Sequence, residues 1–379
     1  MQRLLHVLIG HLALLATLGV SAQADDKSRS IKATTIEDVV VIGKREDVLL
    51  VPGSGTLFDQ EQLDREDHID LHQILSSAPG IYVREEDGFG LRPNIGIRGA
   101  TTDRSQKLTI MEDGILIGPA PYSAPAAYYV PNAARIEAIE VLKGPATVKY
   151  GPQTVGGAIN FVSRGIPEDN TGEIDFGLGT DGYMKTQGAV AFELGKFGFL
   201  LDAMNYQNEG FKELDNGGDT GFVRNDLNAK IRWQSEDEQQ VLTLKLGFAD
   251  EDANETYLGL TNNDFASDPD SRYPASALDN FMSKHHQIHI NYGLQVNQSL
   301  KMNVKAYRNL FQRAWTKFDG FPSGTPPQRV LTLPNFYLNQ YNVMSGASNS
   351  AGTPFDTIDV TNNDRKFVSE GVQISGAYD

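Results

Sequence analysis

The stretch RIEAIEVLKGPATVKYGPQTVGGAINFVSRG, residues 135–165, decides how the rest of the chain is read. Two β-type runs, Ile136–Leu142 and Ala158–Ser163, flank a core dense in Gly and Pro. In the first run Ile136, Ala138 and Glu140 lie on one side and Glu137, Ile139 and Val141 on the other, the period-two pattern of a strand. Gly144-Pro145, Gly151-Pro152 and Gly156-Gly157 mark turns between the runs. Glycine at this density predicts backbone that passes close to other backbone or adopts positive φ. Beyond it the pattern changes from mixed helix and strand to long alternating strands. The stretch marks a junction between two architectures.

Upstream, from Val48 to Gly165, the signals are mixed. Leu71, Ile74, Leu75 and Ala78 recur at helical spacing, and Pro79-Gly80 stops the helix. Ile81–Val83, Ile95–Ile97 and Leu108–Met111 read as strands, with Glu112-Asp113-Gly114 as a turn and a Pro-, Ala- and Tyr-rich loop over 118–131. Together they make one α+β domain over residues 48–165, about 120 residues and a common size.

Downstream, from Gly172, two-sided strands follow one another with no convincing helix. Leu242, Leu244, Leu246 and Phe248 oppose Thr243, Lys245 and Gly247; Ile288, Ile290, Tyr292 and Leu294 oppose Gln287, His289, Asn291 and Gln295. These strands reach the roughly 9–11 residues that cross a bilayer at a tilt. Short connections at Leu194–Phe197, Ser235–Gln239 and Val296–Ser299 alternate with long ones near 208–222, 250–282 and 314–364. Short turns on one side and long loops on the other mark an outer-membrane β-barrel. About eight strands are present, the last expected at Lys366–Tyr378. Eight would close only a small barrel filled by its own side chains, whereas a domain of this size inside a barrel calls for a 22-stranded one. The chain is therefore expected to be C-terminally truncated, with residues 172–379 the N-terminal part of a transmembrane β-barrel.

The N-terminus supplies an address. A basic start at Met1–Arg3, an apolar Leu4–Val20 and Ala22-Gln23-Ala24 read as a signal peptide over residues 1–24. Residues 25–47 form a flexible segment carrying the β-branched run Glu37-Asp38-Val39-Val40-Val41-Ile42, which suits either an edge strand or a peptide captured by strand addition. A net charge of −16 argues against a nucleic-acid partner. With no Cys in 379 residues, disulfide scaffolding, thiolate metal sites and thiol catalysis are excluded.

Here the motifs resemble a family. Asn94-Ile95-Gly96-Ile97-Arg98-Gly99, Glu112-Asp113-Gly114, Val141-Leu142-Lys143-Gly144-Pro145 and Tyr150-Gly151 through Gly156–Asn160 resemble the plug of TonB-dependent outer-membrane receptors. Ala120–Tyr122 together with Tyr150–Pro167 looks most like the ferric dicitrate receptor branch. The resemblance implies an α+β plug domain followed by part of an antiparallel transmembrane β-barrel, and makes Glu37–Ile42 the TonB box. It implies active uptake of a ferric chelate, with TonB, energised by the inner-membrane proton gradient, adding the box as a strand. Outer-membrane lipid is a further partner, and the receptor is expected to be a monomer that catalyses no covalent change and needs no cofactor. Arg104 and Lys107 align with an apex loop, and with Tyr122 and Ser123 they become ligand-binding candidates. Arg98 and Lys143 match positions that tether the plug to barrel carboxylates. One departure stands out: no room lies between the signal peptide and the box for the branch's signalling domain, so transport without that role is expected.

Rival chemistries find little support. Gly144–Gly157 lacks the G-K-[ST] ending of a phosphate loop. His285 and His289 on a strand stand about 13 Å apart, too far to share one metal. The acidic stretches Asp215–Asp219 and Asn262–Asp270 miss the EF-hand pattern, so no metal site is expected. An outer-membrane enzyme or a passive porin remains as an alternative class, and cobalamin, a sugar or a peptide as alternative cargo.

Overall fold

Ile136–Lys143, one residue longer than the strand expected over Ile136–Leu142, lies second in a five-stranded sheet. A computed structural model describes residues 42–117, 129–151, 154–215, 217–256 and 258–378. The sheet holds β1 (Ser54–Phe58), β4 (Leu108–Glu112), β5 (Ile115–Leu116), β6 (Ile136–Lys143) and β7 (Gly157–Ser163) in the order β1-β6-β7-β4-β5. β4 and β7 run parallel; the other pairs are antiparallel. From Ala138 onward the period-two pattern of β6 sorts its side chains as expected, with Ile139 and Val141 fully buried on one face with Ile110, Ile159 and Phe161. Ile136, expected on the other face, joins this same cluster. The register slips between Ile136 and Ala138, a bulge that leaves the Glu137 carboxylate free to accept the Gly165 N–H.

Two short helices, α1 (Gln60–Glu66) and α2 (Leu71–Ser76), are capped by Asp59 and Asp70, whose carboxylates accept the Gln62 and His72 N–H groups. With the hairpin β2 (Ile81–Arg84) and β3 (Asn94–Ile97), α1 and α2 cover the face that carries Ile139. The opposite face holds Met111, Leu142 and Ala158, and Ile42 packs on it. The glycines do what their density implied. Gly144 sits at φ 96, and a Cβ on Gly157 would lie 2.6 Å from the Leu142 carbonyl oxygen.

After Ser163 the chain becomes an eight-stranded antiparallel wall. Its strands are β8 (Thr171–Leu178), β9 (Met184–Leu194), β10 (Phe197–Asn208), β12 (Phe222–Gln234), β13 (Gln240–Ala253), β15 (Asn280–Gln295), β16 (Leu300–Gly320) and β17 (Asp359–Tyr378). Each pairs with its neighbour in sequence, and the sheet is open between β8 and β17. Register lines up apolar outward rows, among them Phe192, Phe199, Ile231, Leu244, Ile290, Ala306 and Val372. The inward rows are polar and lie against the α+β domain. This is the expected fold class.

Two expectations need correction. The last connection spans 321–358, not 314–364, because β16 and β17 extend to 21 and 20 residues. The long connections also hold helices where none was expected: α3 (Asn262–Ser267), α4 (Pro327–Thr332) and α5 (Leu338–Met344). α4 and α5 pack around a second small core of Tyr273, Phe318, Phe321, Val330 and Met344. Each of the three helices has only six or seven residues, too short for periodicity to stand out from loop composition. Two further short strands, β11 (Glu213–Leu214) and β14 (Ser271–Arg272), pair in parallel and join two of these connections.

Candidate functional site

The seam between the inner domain and the wall is built from the ends of β4 and β7. β4 brings Glu112 and Asp113 to the wall at the close of an apolar strand, and both carboxylates are buried. The Lys245 ammonium on β13 lies 2.5 Å from Glu112 Oε1 and 2.6 Å from Asp113 Oδ2. Gln287 on β15 donates to Glu112 Oε2 at 2.7 Å, and Lys305 on β16 donates to the Asp113 carbonyl at 3.3 Å. Arg135 bridges the two bodies, 2.5 Å from Glu112 and 2.8 Å from Asp226 of β12. Burial alone would push the Glu112 carboxyl up, but Arg135 and Lys245 together hold it well below the ordinary range. Asp113 is likewise lowered, burial being outweighed by Lys230 and Lys245. Nearer the long loops, Arg92 pairs with Glu251 of β13 and lies over the Phe281 ring at 4.6 Å. Breaking any such buried pair would strand a charge, so the seam holds the inner domain in one seat.

Beside the long connections the inner domain faces a cavity of about 600 Å³. Arg84, Glu86, Asp103 and Arg104 line it from the inner domain; Lys212, Phe265, Arg272 and Trp315 line it from the wall and its loops. Its acids are engaged: Asp87 accepts the N–H groups of Phe89, Leu91 and Arg92, Glu86 accepts Asn94, and Asp103 accepts Gln106. Lys212 pairs with Glu255, and Arg272 donates to the Ser276 hydroxyl and carbonyl. Arg84 and Arg104 have no ion-pair partner among the described residues. The Arg104 N–H donates to Asn94 Oδ1 at 2.9 Å and its φ is 49, so a strained turn aims this side chain. The cavity thus offers two unpaired guanidinium groups and two aromatic faces, a set suited to an anionic or oxygen-rich ligand.

The expected site residues fall in different places. Arg104 lines the cavity, whereas Lys107 is exposed and not among its lining residues. Tyr122 and Ser123 lie outside the described residues, as do the expected signal peptide and Glu37–Val41 of the expected TonB box. Ile42 is described and buried. Lys143 donates to Thr56 Oγ1 and to the Pro79 carbonyl, within its own domain. Burial, then the nearby Arg98 charge, lowers the Lys143 ammonium pKa. Among the described residues neither Lys143 nor Arg98 meets a wall carboxylate. The buried ties run through Glu112, Asp113, Arg135 and Arg92 instead, and Arg164 and Asp67 also pair with wall residues. In sequence Glu112-Asp113 reads as a turn and as part of a plug motif, but not as a tie to the wall; the available signal for that is two adjacent acids closing an apolar strand.

One group has metal-like proximity. Asp70, His72 and Glu85 bring ligand atoms within 4.8 Å of one another, but Asp70 caps α2 and His72 Nδ1 lies 3.0 Å from Glu85. In the acidic stretch Asn262–Asp270, the Asp264 carboxylate is taken by Thr261, Tyr273 and Tyr341.

An α+β domain seated by buried charges against an open antiparallel wall, with a cavity at its loop side, defines a plugged-barrel architecture. Residues 47–158 match the family model of the TonB-dependent Receptor Plug Domain. The inner domain is therefore a plug domain of the TonB-dependent receptor type. Vitamin B12 transporter BtuB of Photobacterium profundum is 28% identical over 176 residues, 45% of this chain and 28% of that protein. Vitamin B12 transporter BtuB of Vibrio vulnificus is 25% identical over 325 residues, 84% of this chain and 49% of that protein. Among solved structures, the unliganded ferric citrate transporter FecA aligns with a TM-score of 0.64 at 23% identity, over 75% of this chain and 44% of that one. The ferric yersiniabactin uptake receptor FyuA from Yersinia pestis aligns at 0.59 with 16% identity, over 71% and 42%. At these identities the solved structures establish the fold alone. The chain spans about half the length or less of these relatives. The ferric dicitrate branch is not singled out, since relatives of both the ferric citrate and the vitamin B12 kind match.

Proposed function

We propose that this chain forms the plug and part of the wall of an outer-membrane receptor that takes up an external ligand in a TonB-dependent way. The observation that carries the reading is the plug itself, matched over 47–158 and seated by buried ion pairs against an antiparallel wall. In this reading TonB adds Glu37–Ile42 as a strand from the periplasm and pulls, and the plug rearranges to open a path. Backbone hydrogen bonds supply the affinity of such an addition and alternate side chains its register. Outer-membrane lipid contacts the apolar outward rows. The receptor acts as a monomer, and Glu112, Asp113, Arg135 and Arg92 seat its plug against the wall.

Two observations bear on the cargo. The curated relatives, vitamin B12 transporters at 28% and 25% identity, favour a cobalamin. The unpaired Arg84 and Arg104 at the cavity favour an anionic ferric chelate such as ferric citrate, with Tyr122 and Ser123 adding hydrogen bonds and Lys107 adding charge at the rim. The deciding experiment is uptake of radiolabelled cobalamin and ferric citrate, in parallel, by cells carrying the full receptor gene, with and without Val40→Pro. Proline removes a ladder donor and abolishes uptake of the true ligand. Unchanged uptake in the variant would sink the TonB reading, and ion conduction without TonB would make the protein a porin.

A further inference from the structure

Ile42 and Gly43 both give their backbone N–H groups to the same carboxylate oxygen. Glu140 Oε1 accepts from Ile42 at 2.6 Å and from Gly43 at 3.0 Å. Glu140 is 0% exposed, at the centre of β6 and on the sheet face that Ile42 covers. Its other oxygen accepts the Asn160 amide at 2.8 Å, from the residue directly opposite it on β7. Asn160 Oδ1 in turn accepts the Gly114 N–H at 2.8 Å. Asp113, one residue earlier, takes the Lys245 ammonium from β13, and its carbonyl takes Lys305 from β16. A continuous path of hydrogen bonds and one peptide unit joins Ile42 to two strands of the wall.

The placement needs a reason. Ile139, Val141 and Leu142 around Glu140 are apolar and buried, and a carboxylate among them is costly unless its oxygens are satisfied. Satisfaction here comes from Asn160 and from the backbone of Ile42, the last residue of the box, and of Gly43 after it. An apolar side chain at 140 would fill the sheet equally well and hold neither N–H. Backbone N–H groups taken by Glu140 are also unavailable to an added strand.

Resting on the TonB reading above, we propose that Glu140, braced by Asn160, is the positioning residue that latches the C-terminal end of the box, Ile42 with the following Gly43, to the plug. While the latch is closed, the Ile42 end of the box is withheld from strand addition. A pull on the segment enters the plug at the β6–β7 pair and reaches the Glu112–Asp113–Gly114 turn, which the wall holds through Lys245.

The chain has no Cys, so an introduced Asp38→Cys, with any Cys elsewhere in the receptor replaced by Ser, is a unique label. Its rate of reaction with a maleimide is measured on the full receptor in isolated outer membranes lacking TonB. Glu140→Ala removes acceptors of charge-assisted bonds and raises the rate about tenfold or more. Glu140→Gln keeps a carbonyl oxygen without the charge and gives a smaller rise. Glu137→Gln, on the same strand but bonded to Gly165, leaves the rate unchanged. Parent-like labelling in Glu140→Ala, with the plug still resistant to trypsin, overturns the latch. If Glu140→Ala itself makes the plug trypsin-sensitive, the isosteric Glu140→Gln decides, and a parent-like rate there overturns it. Failure of the TonB reading looks different: labelling rises in the Glu140 variants while Val40→Pro leaves uptake intact.

Discussion

The Lys245 ammonium lies 2.6 Å from the Asp113 carboxylate, joining wall strand β13 to the close of plug strand β4 across 132 residues of sequence. The same nitrogen reaches Glu112 at 2.5 Å, so one buried cation serves two carboxylates. Lys245→Ala is expected to leave both partly unpaired and to cost about 3–5 kcal/mol of plug seating. Limited trypsin digestion and thermal unfolding of the purified receptor read this as earlier plug cleavage and a lower Tm. Lys245→Arg, which keeps the charge, should recover part of the loss.

The same pair sets an acid limit. Glu112 and Asp113 are held below the ordinary carboxylate range, so each contributes stability above its unfolded pKa, near about 4, and loses it only as pH falls through the lower folded value. The seat is therefore expected to hold at about pH 5 and to loosen only well below about 4. Plug protection measured by proteolysis after stepwise acidification checks this. Loosening between about pH 6 and 5 would contradict the assignment.

Arg104 and Lys107 stand three residues apart, yet only Arg104 lines the cavity. Arg104→Ala should weaken binding of an anionic ligand about tenfold or more, as expected for loss of a charge-assisted contact. Lys107→Ala should change it by less than about threefold. Titration calorimetry with the transported ligand separates the two.

Gly96, on β3, lets the loop that leads to Arg104 pass close. A Cβ there would sit 2.5 Å from the Ala100 carbonyl oxygen and 2.9 Å from Thr102 Cγ2. Gly96→Ala is expected to destabilise the plug by about 1–3 kcal/mol and to lower ligand affinity by shifting residues 98–105. Unfolding and binding measured on one preparation show whether the two effects move together.

Asp264 ties two long connections, since its carboxylate accepts the hydroxyls of Tyr273 on one and Tyr341 on the other. Burial would raise its pKa, but the Tyr273, Thr261 and Tyr341 hydroxyls lower it. Asp264→Ala should loosen the loops locally by about 1–3 kcal/mol. Hydrogen exchange is then faster over 261–279 and 338–344 and unchanged in the wall strands.

The sequence by itself determined the two architectures and their junction. Period-two alternation fixes which residues of β13 and β15 face inward, because successive side chains on a strand point to opposite sides. Loop asymmetry gave the barrel, and glycine spacing gave the tight plug backbone now seen at Gly144 and Gly157. The short loop helices stayed hidden for want of length. So did the seam: alternation places Lys245 on the inner face but carries no information about what meets it there. That depends on how the plug sits against the wall, which brings residue 112 to residue 245 and leaves Lys143 on Thr56 and Pro79. The Glu140 contact is of the same kind, joining residues 98 apart through a carboxylate that looks, in sequence, like one more polar residue of an alternating strand. Local pattern follows from backbone geometry, whereas charge pairing follows from the packing of distant segments. Only the tertiary structure supplies the second.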